Sequence, residues 1–240
     1  MTTMSTHQSG NTQGNGDLLA RGVARLVIAG VFLGVLLFWG AGTLTWPRGW
    51  LFLALMLGTL VVNLSVMFTK SPALLRERWK RQEGTKGFDK LFGVAYFLLI
   101  LVFLTLAGID SVRLRWTEMA ESLIYVGAAL HLLGTVPVIW SLLANPHLET
   151  TVRIQTDRGH RVISDGPYRF VRHPMYIGMI LMLSGWPLVL GSWVAFGVAL
   201  LIIGLFLVRT ALEDRTLKEE LEGYTDYCSR TRFRLVPGLW

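Results

Sequence analysis

The chain has 240 residues, 52% of them hydrophobic and only 16% charged, with a formal net charge of +7. So low a charged fraction, against the quarter or so typical of globular chains, excludes an ordinary water-soluble domain. The positive balance does not point to nucleic acid, because the basic residues stand between apolar runs, where membrane topology places them. A single Cys228 excludes an internal disulfide and a cysteine-based zinc site.

Residues 1–16 are Ser/Thr/Gln/Asn/Gly-rich without apolar periodicity and are expected as a disordered tail. They lack the basic start and small-residue cleavage site of a signal peptide. A first span is expected over 24–45, ending at Trp46-Pro47-Arg48-Gly49-Trp50, which reads as a tight turn in an aromatic interface belt. A second span follows over 50–69, then a basic stretch over 70–90 holding Lys70, Arg76, Arg78, Lys80, Arg81, Lys86 and Lys90. Third and fourth spans are expected over 90–109 and 120–143. No charged residue stands in the middle of a span, which counts against a transport path. His131, in the fourth span with Pro137, reads as a packed core histidine.

The last apolar run, 175–208, is too long for one crossing, and Gly185-Trp186-Pro187 and Gly191-Ser192 interrupt it. Two short helices forming a hairpin are expected there. Six spans leave twenty basic residues on the side that holds both termini and only Arg48, Arg113 and Arg115 on the other, so both termini are expected in the cytoplasm. Five spans, the alternative, would put the basic C-terminus outside. The expected fold is all-α: a polytopic transmembrane helix bundle of about six spans, in a plasma or inner membrane. Its divisions are a tail at 1–16, a four-helix transmembrane region at 17–144, and a region at 145–240 with the hairpin and a C-terminal cytoplasmic helix.

No G-x-G-x-x-G follows a strand, no Walker A or H-E-x-x-H occurs, and the five histidines show no metal-ligand spacing, so neither a Rossmann site nor a metal is expected. The chemistry concentrates in Asp165-Gly166-Pro167-Tyr168-Arg169-Phe170-Val171-Arg172-His173-Pro174-Met175-Tyr176-Ile177-Gly178. This stretch crowds aromatic, imidazole and guanidinium groups where the chain enters the hydrocarbon, and its two prolines bias the residues before them toward extended backbone. Polar groups at such a junction are costly unless they line a cavity or hold a ligand. The simpler account is an interfacial belt, with Tyr168, Arg169, Arg172 and Tyr176 at the headgroups.

Three motifs carry a resemblance: G-P-Y-x-x-x-R-H-P-x-Y-x-G at 166–178, E-[ED]-x-x-L at 213–217 and Y-x-x-Y at 224–227. Together they resemble the isoprenylcysteine carboxyl methyltransferase family of integral-membrane methyltransferases, with phospholipid methyltransferases as more distant relatives. The resemblance covers the C-terminal region strongly and the first 145 residues weakly. It implies an S-adenosylmethionine pocket built from the 145–178 segment and the C-terminal helix. Gln155, His160, Arg161, Val162, Ile163, Tyr168, His173, Pro174, Met175, Tyr176 and Glu213 are implied as cofactor contacts. Arg209 is implied to orient the acceptor and Glu213 to lie near the cofactor, both as catalytic residues. The residues from Leu217 to Tyr227 are implied to cap the pocket. Asp214 stands where the pattern has a second Glu and is assigned no role.

Without the resemblance, Arg209 and Glu213 read as an i,i+4 ion pair at a helix end, Gly166 and Gly178 as turn and packing glycines, and 217–227 as a solvated amphipathic helix. Arg230, Arg232 and Arg234 read as contacts to anionic headgroups. Membrane lipid and a lipophilic or small-molecule methyl acceptor are the expected partners, with the acceptor atom open among carboxylate, thiol and amine. A non-enzymatic transporter or scaffold is the alternative.

Overall fold

A computed structural model describes residues 6–80 and 83–240, with side-chain surroundings from Gly16 onward; residues 1–5, Arg81 and Gln82 lie outside it. The helices are α1 (Thr6–Ala41), α2 (Pro47–Lys70), α3 (Pro72–Trp79), α4 (Gly87–Gly108), α5 (Leu123–Ala144), α6 (Pro174–Leu190), α7 (Trp193–Glu220) and α8 (Tyr224–Arg230). Pro47, Pro72 and Pro174 open α2, α3 and α6, where the ring's fixed φ suits the first turn and no helical N–H is lost. Helix extends back to Thr6, so residues 6–16 continue α1 instead of forming the expected disordered tail. Once the apolar run has nucleated a helix, each added residue gains one backbone bond.

Among the described residues, five helices are long and apolar enough to cross a membrane (Gly16–Ala41, Pro47–Lys70, Gly87–Arg113, Leu123–Ala144 and Trp193–Glu220), and α6 is a shorter apolar helix. α6 nonetheless runs between the same two ends as α4. Tyr176 at its start reaches Glu213, beside the first turn of α4, while at its far end Ser111, just beyond α4, donates to Leu190 O at 2.9 Å. The run 175–208 is therefore a hairpin, as expected, but only its first arm is short. α7 has 28 residues and continues past the apolar stretch as one rod. The expected cytoplasmic helix is mostly the end of that rod, followed by the one short α8.

Backbone contact sets the spacing of α5 and α6. A Cβ on Gly127 would strike the Gly185 carbonyl and one on Gly134 the Gly178 carbonyl, and the reverse holds for Gly185 and Gly178. In hydrocarbon, where apolar burial cannot drive helices together, such small-residue seams allow the close van der Waals packing that does. Beside the seam His131 knots three helices. Trp186 Nε1 donates to its Nδ1 at 3.0 Å, so the proton sits on Nε2, which faces Thr59 Oγ1 at 2.8 Å and Leu55 O at 3.2 Å. It is the packed core histidine expected from the sequence.

A buried carboxylate closes the opposite end. Asp110, in the π-helical turn Ile109–Arg113, accepts from Thr117 N, Thr117 Oγ1, Ser192 Oγ and Val194 N and so pins the α6–α7 turn to α4. Gly191 makes that turn at φ 76°, and Ser192 Oγ caps α7 by accepting from Ala195 N. The two tryptophans of the α1–α2 turn differ from expectation. Trp50 is exposed, with Nε1 on Leu44 O, whereas Trp46 is buried over Gly49, whose missing side chain leaves room for the indole.

The seam gives the first prediction. Gly178→Val should cost about 3 kcal/mol or more through overpacking against backbone, read as a lower thermal midpoint in detergent. Gly204→Ala on α7, where an added Cβ meets nothing within 4 Å, should leave the midpoint unchanged.

Candidate active site

The functional stretch is held by its C-terminal neighbours. Pro174 forces extended backbone on His173 (φ −126°, ψ 61°), and the amides this leaves outside a helix bond to the tail: Arg172 N to Phe233 O at 3.0 Å and His173 N to Arg234 O at 2.9 Å. Arg172 then grips Asp214 with a fork, Nε to Oδ1 at 2.7 Å and Nη2 to Oδ2 at 3.2 Å, while its Nη1 donates to Thr231 O and Arg232 O. The same carboxylate receives Tyr224 Oη at 3.1 Å and Arg234 Nε at 3.0 Å, with Lys218 Nζ at 3.2 Å and His173 Nε2 at 3.4 Å. Asp214, which the sequence left without a role, joins 172–173, α7, α8 and the tail. Arg234 is one of its ion partners, not the headgroup contact expected, and its guanidinium also lies over the Trp240 ring.

Above the bundle end, residues 145–165 form a roof. Glu149 takes a fork from Arg153 at 2.7 and 2.9 Å, and Gln155 is bonded at both ends of its amide, to His147 O and from Arg158. His147 and His160 face each other with ring centres 4.9 Å apart. Burial, then the neighbouring His147 and the Arg153 and Arg158 charges, push His160 down to about 4, and burial likewise lowers His147. Both imidazoles are neutral near pH 7. Gly166, at φ 60°, turns the chain into the short helical turn Gly166–Arg169, which buries Tyr168; Asn145 Nδ2 donates to its hydroxyl and Tyr227 Oη to its carbonyl. Burial holds the Tyr168 phenol up at about 12, so it remains protonated.

Between roof and bundle lies a cleft of about 810 Å3, counted out to its open mouth. Every residue that the resemblance implied as a cofactor or acceptor contact is on its wall: Gln155 and His160 to Ile163 from the roof, Tyr168, His173 to Tyr176, and Arg209 and Glu213 from α7. Leu217, Leu221, Tyr224 and Tyr227 close one side, so one face of this segment, broken by a turn at Gly223 (φ 78°), caps the cleft while Lys218, Glu219, Glu220, Glu222 and Asp226 on the other stay exposed, as in an amphipathic helix. The wall also holds Asn145, His147 and Glu149, which the sequence reading missed.

Arg209 and Glu213 do not form the helical ion pair their spacing suggests. Glu213 accepts from Tyr176 Oη at 2.5 Å. Arg209 instead lies 2.8 Å from Asp89 of α4, donates Nη2 to Thr150 O at 3.0 Å, and spreads over the Phe92 and Tyr176 rings at 4.4 and 5.5 Å. Asp89 is the other residue missed, since a carboxylate in the first turn of an apolar helix reads as a helix-dipole partner. Among the described residues no cluster fit to hold a metal occurs.

An all-helical membrane bundle with a polar cleft at one end is the class of protein this defines. Within it, residues 123–222 match the family model of the phospholipid methyltransferases, a region that takes in the 166–178 and 213–217 motifs. The fold is similar to the solved structure of a eukaryotic intramembrane Ras methyltransferase, isoprenylcysteine carboxyl methyltransferase, at TM-score 0.53 and 18% identity, over 87% of this chain and 74% of that one. The resemblance read from the sequence is borne out by both.

The two imidazoles give a pH prediction. His160 has a lower pKa folded than unfolded (about 6.5), so the unfolded chain binds more protons between these values. Stability is then full above pH 6.5 and falls as the pH drops toward 4. Thermal midpoints in detergent across this window should fall in the wild type and fall less in His160→Gln.

Proposed function

We propose that the protein is an integral-membrane methyltransferase that uses S-adenosylmethionine to methylate a lipophilic or small acceptor. The observation that carries this reading is the convergence, in one cleft, of every residue to which the resemblance assigns a cofactor or acceptor role. When bound, S-adenosylmethionine supplies an electrophilic methyl group on a sulfonium.

The chain's own groups suit such a ligand. Tyr168 and Tyr176 offer ring faces that attract a cation without attacking it. Glu213 adds a carboxylate of complementary sign, steadied by the Tyr176 hydroxyl. The neutral His147 and His160 rings offer flat partners for a heterocycle, and Nδ1 of His147 is buried with no hydrogen-bond partner among the described residues. The roof shields the cleft from water, which strengthens each of these electrostatic terms.

Methyl transfer is an in-line displacement, so positioning does most of the work. Arg209 is the acceptor-orienting group. Its Nη1 donates to none of the described residues, and its guanidinium lines the cleft. A carboxylate or thiolate acceptor needs no base. An amine would lose its proton to Glu213 as general base. Cleft and membrane bundle adjoin, which favours an acceptor with an apolar anchor. The concentration of basic residues at the cleft end supports a cytoplasmic site with both termini on that side.

Calorimetric titration of detergent-purified protein with S-adenosylmethionine and S-adenosylhomocysteine tests the class. Binding that His173→Ala or Tyr176→Ala removes while the protein stays folded is the expected result; no binding to well-folded wild type would overturn the reading and favour a transporter or scaffold. On the acceptor side, Arg209→Ala should abolish methyl transfer into membrane extracts and leave cofactor affinity unchanged. Equal loss of both would assign Arg209 to the cofactor or to folding.

A further inference from the structure

We infer that Asp89 is a positioning residue of this site, fixing the direction of Arg209 and the height of the roof with its two carboxylate oxygens. The inference deepens the proposed function and rests on it for the role of Arg209.

A carboxylate in a helix's first turn normally faces solvent near the positive end of the dipole. Asp89 is 4% exposed and turns inward. Its Oδ2 accepts from Val152 N at 2.8 Å, and the return bond runs from Lys86 N to Val152 O at 3.0 Å, so the start of α4 and the roof are stitched together as a two-residue ladder. Its Oδ1 lies 2.8 Å from Arg209 Nε. The N–H of Arg209 does not point along that line, and both atoms are buried without an aligned hydrogen bond. The close charge contact anchors Nε at Asp89, and the Phe92 and Tyr176 faces and Thr150 O complete the seat of the planar guanidinium.

Glu213 lies one turn along the same helix, within i,i+4 reach of Arg209. It is the carboxylate to which a buried guanidinium would turn if Asp89 lost its charge. That turn would withdraw the Arg209 tip from the acceptor side and compete with the Tyr176 hydroxyl for Glu213. Asp89 thus keeps apart two groups that sequence spacing alone would pair, and in doing so leaves Glu213 to Tyr176 and Nη1 to the cleft.

Asp89→Asn tests this, since the amide oxygen can still accept from Val152 N while the charge is gone. The 15N Nε–H resonance of Arg209, assigned by its disappearance in Arg209→Lys, should shift in Asp89→Asn and shift again, to a third position, when Glu213→Gln is added. Methyl transfer from labelled S-adenosylmethionine, tried on a membrane lipid extract and on a farnesylated N-acetylcysteine, should fall roughly 100-fold, as misplacement of a positioning group can cause. The S-adenosylhomocysteine Kd should weaken far less than turnover, because that product lacks the sulfonium charge that Glu213 would face, and the protein should keep a cooperative thermal transition. On an Arg209→Lys background, Asp89→Asn should cost no further turnover, because a residue acting through Arg209 is not additive with it. An unmoved resonance, additive losses, or an equal loss of cofactor affinity would overturn the assignment. A wild type that neither binds S-adenosylhomocysteine nor transfers methyl would instead overturn the methyltransferase reading, and the resonance would still decide whether Asp89 sets the direction of Arg209.

Discussion

The cleft depends on the buried fork between Arg172 and Asp214. Withdrawing a carboxylate and a guanidinium from water costs several kcal/mol per ion, which only good geometry and further hydrogen bonds offset. Here both conditions hold: the fork is bidentate, Nη1 of Arg172 is spent on two tail carbonyls, and Asp214 takes additional donors from Tyr224 and Arg234. The net yield in stability is small by this reasoning, and the yield in specificity is large. Four segments that share no regular ladder are brought to one point, and removing either ion would leave the other buried and unpaired. The three histidine-bearing or aromatic walls of the cleft (His173, Tyr168 through Tyr227, and the cap) all hang from that point.

Much of the site was legible because its residue types conflict with their place. Two prolines, two tyrosines, two arginines and a histidine crowd the mouth of an apolar run, where polar groups are costly unless they line a cavity, and Tyr168, Arg172, His173, Pro174 and Tyr176 reach the cleft wall, whereas Pro167 and Arg169 do not line it. The helices were legible from apolar length alone. The partners were not. Asp89 meets Val152 across 63 residues of chain and Arg172 meets Asp214 across 42, and no local pattern encodes such pairings. Spacing even misleads at Arg209 and Glu213, where the helical pair is replaced by Asp89 on one side and Tyr176 on the other. Trp46 and Trp50 look equivalent in sequence, and only the pocket over Gly49 decides which is buried.

The glycine seam and the long α7 explain how an apolar bundle can present so exact an arrangement of ions. α5 and α6 touch backbone to backbone, so the position of His173 and Tyr176 at the head of α6 is fixed by a contact with almost no side-chain freedom in it. α7 enters from the far end, pinned there by Asp110 and Ser192, and arrives at the cleft as the same uninterrupted helix that crossed the bundle. Catalytic groups held on such rigid elements are placed better than groups on loops.

The roof is different in kind. It carries no long helix and is joined to the rest by Asp89, by the Thr150–Arg209 bond and by the bond from Asn145 to the Tyr168 hydroxyl. Its internal ion pairs, Arg153 and Arg158 on Glu149, and the hydrogen bond from Arg158 to Gln155 make it a unit in itself. Under the proposed function, a cofactor would enter beneath that unit and an apolar acceptor would come from the bundle side. The two groups that face both directions are Tyr176, stacked on His173 and bonded to Glu213, and Arg209, lying on the Tyr176 ring. On the proposed reading, cofactor side and acceptor side meet across one aromatic ring, and whatever tilts that ring acts on both at once.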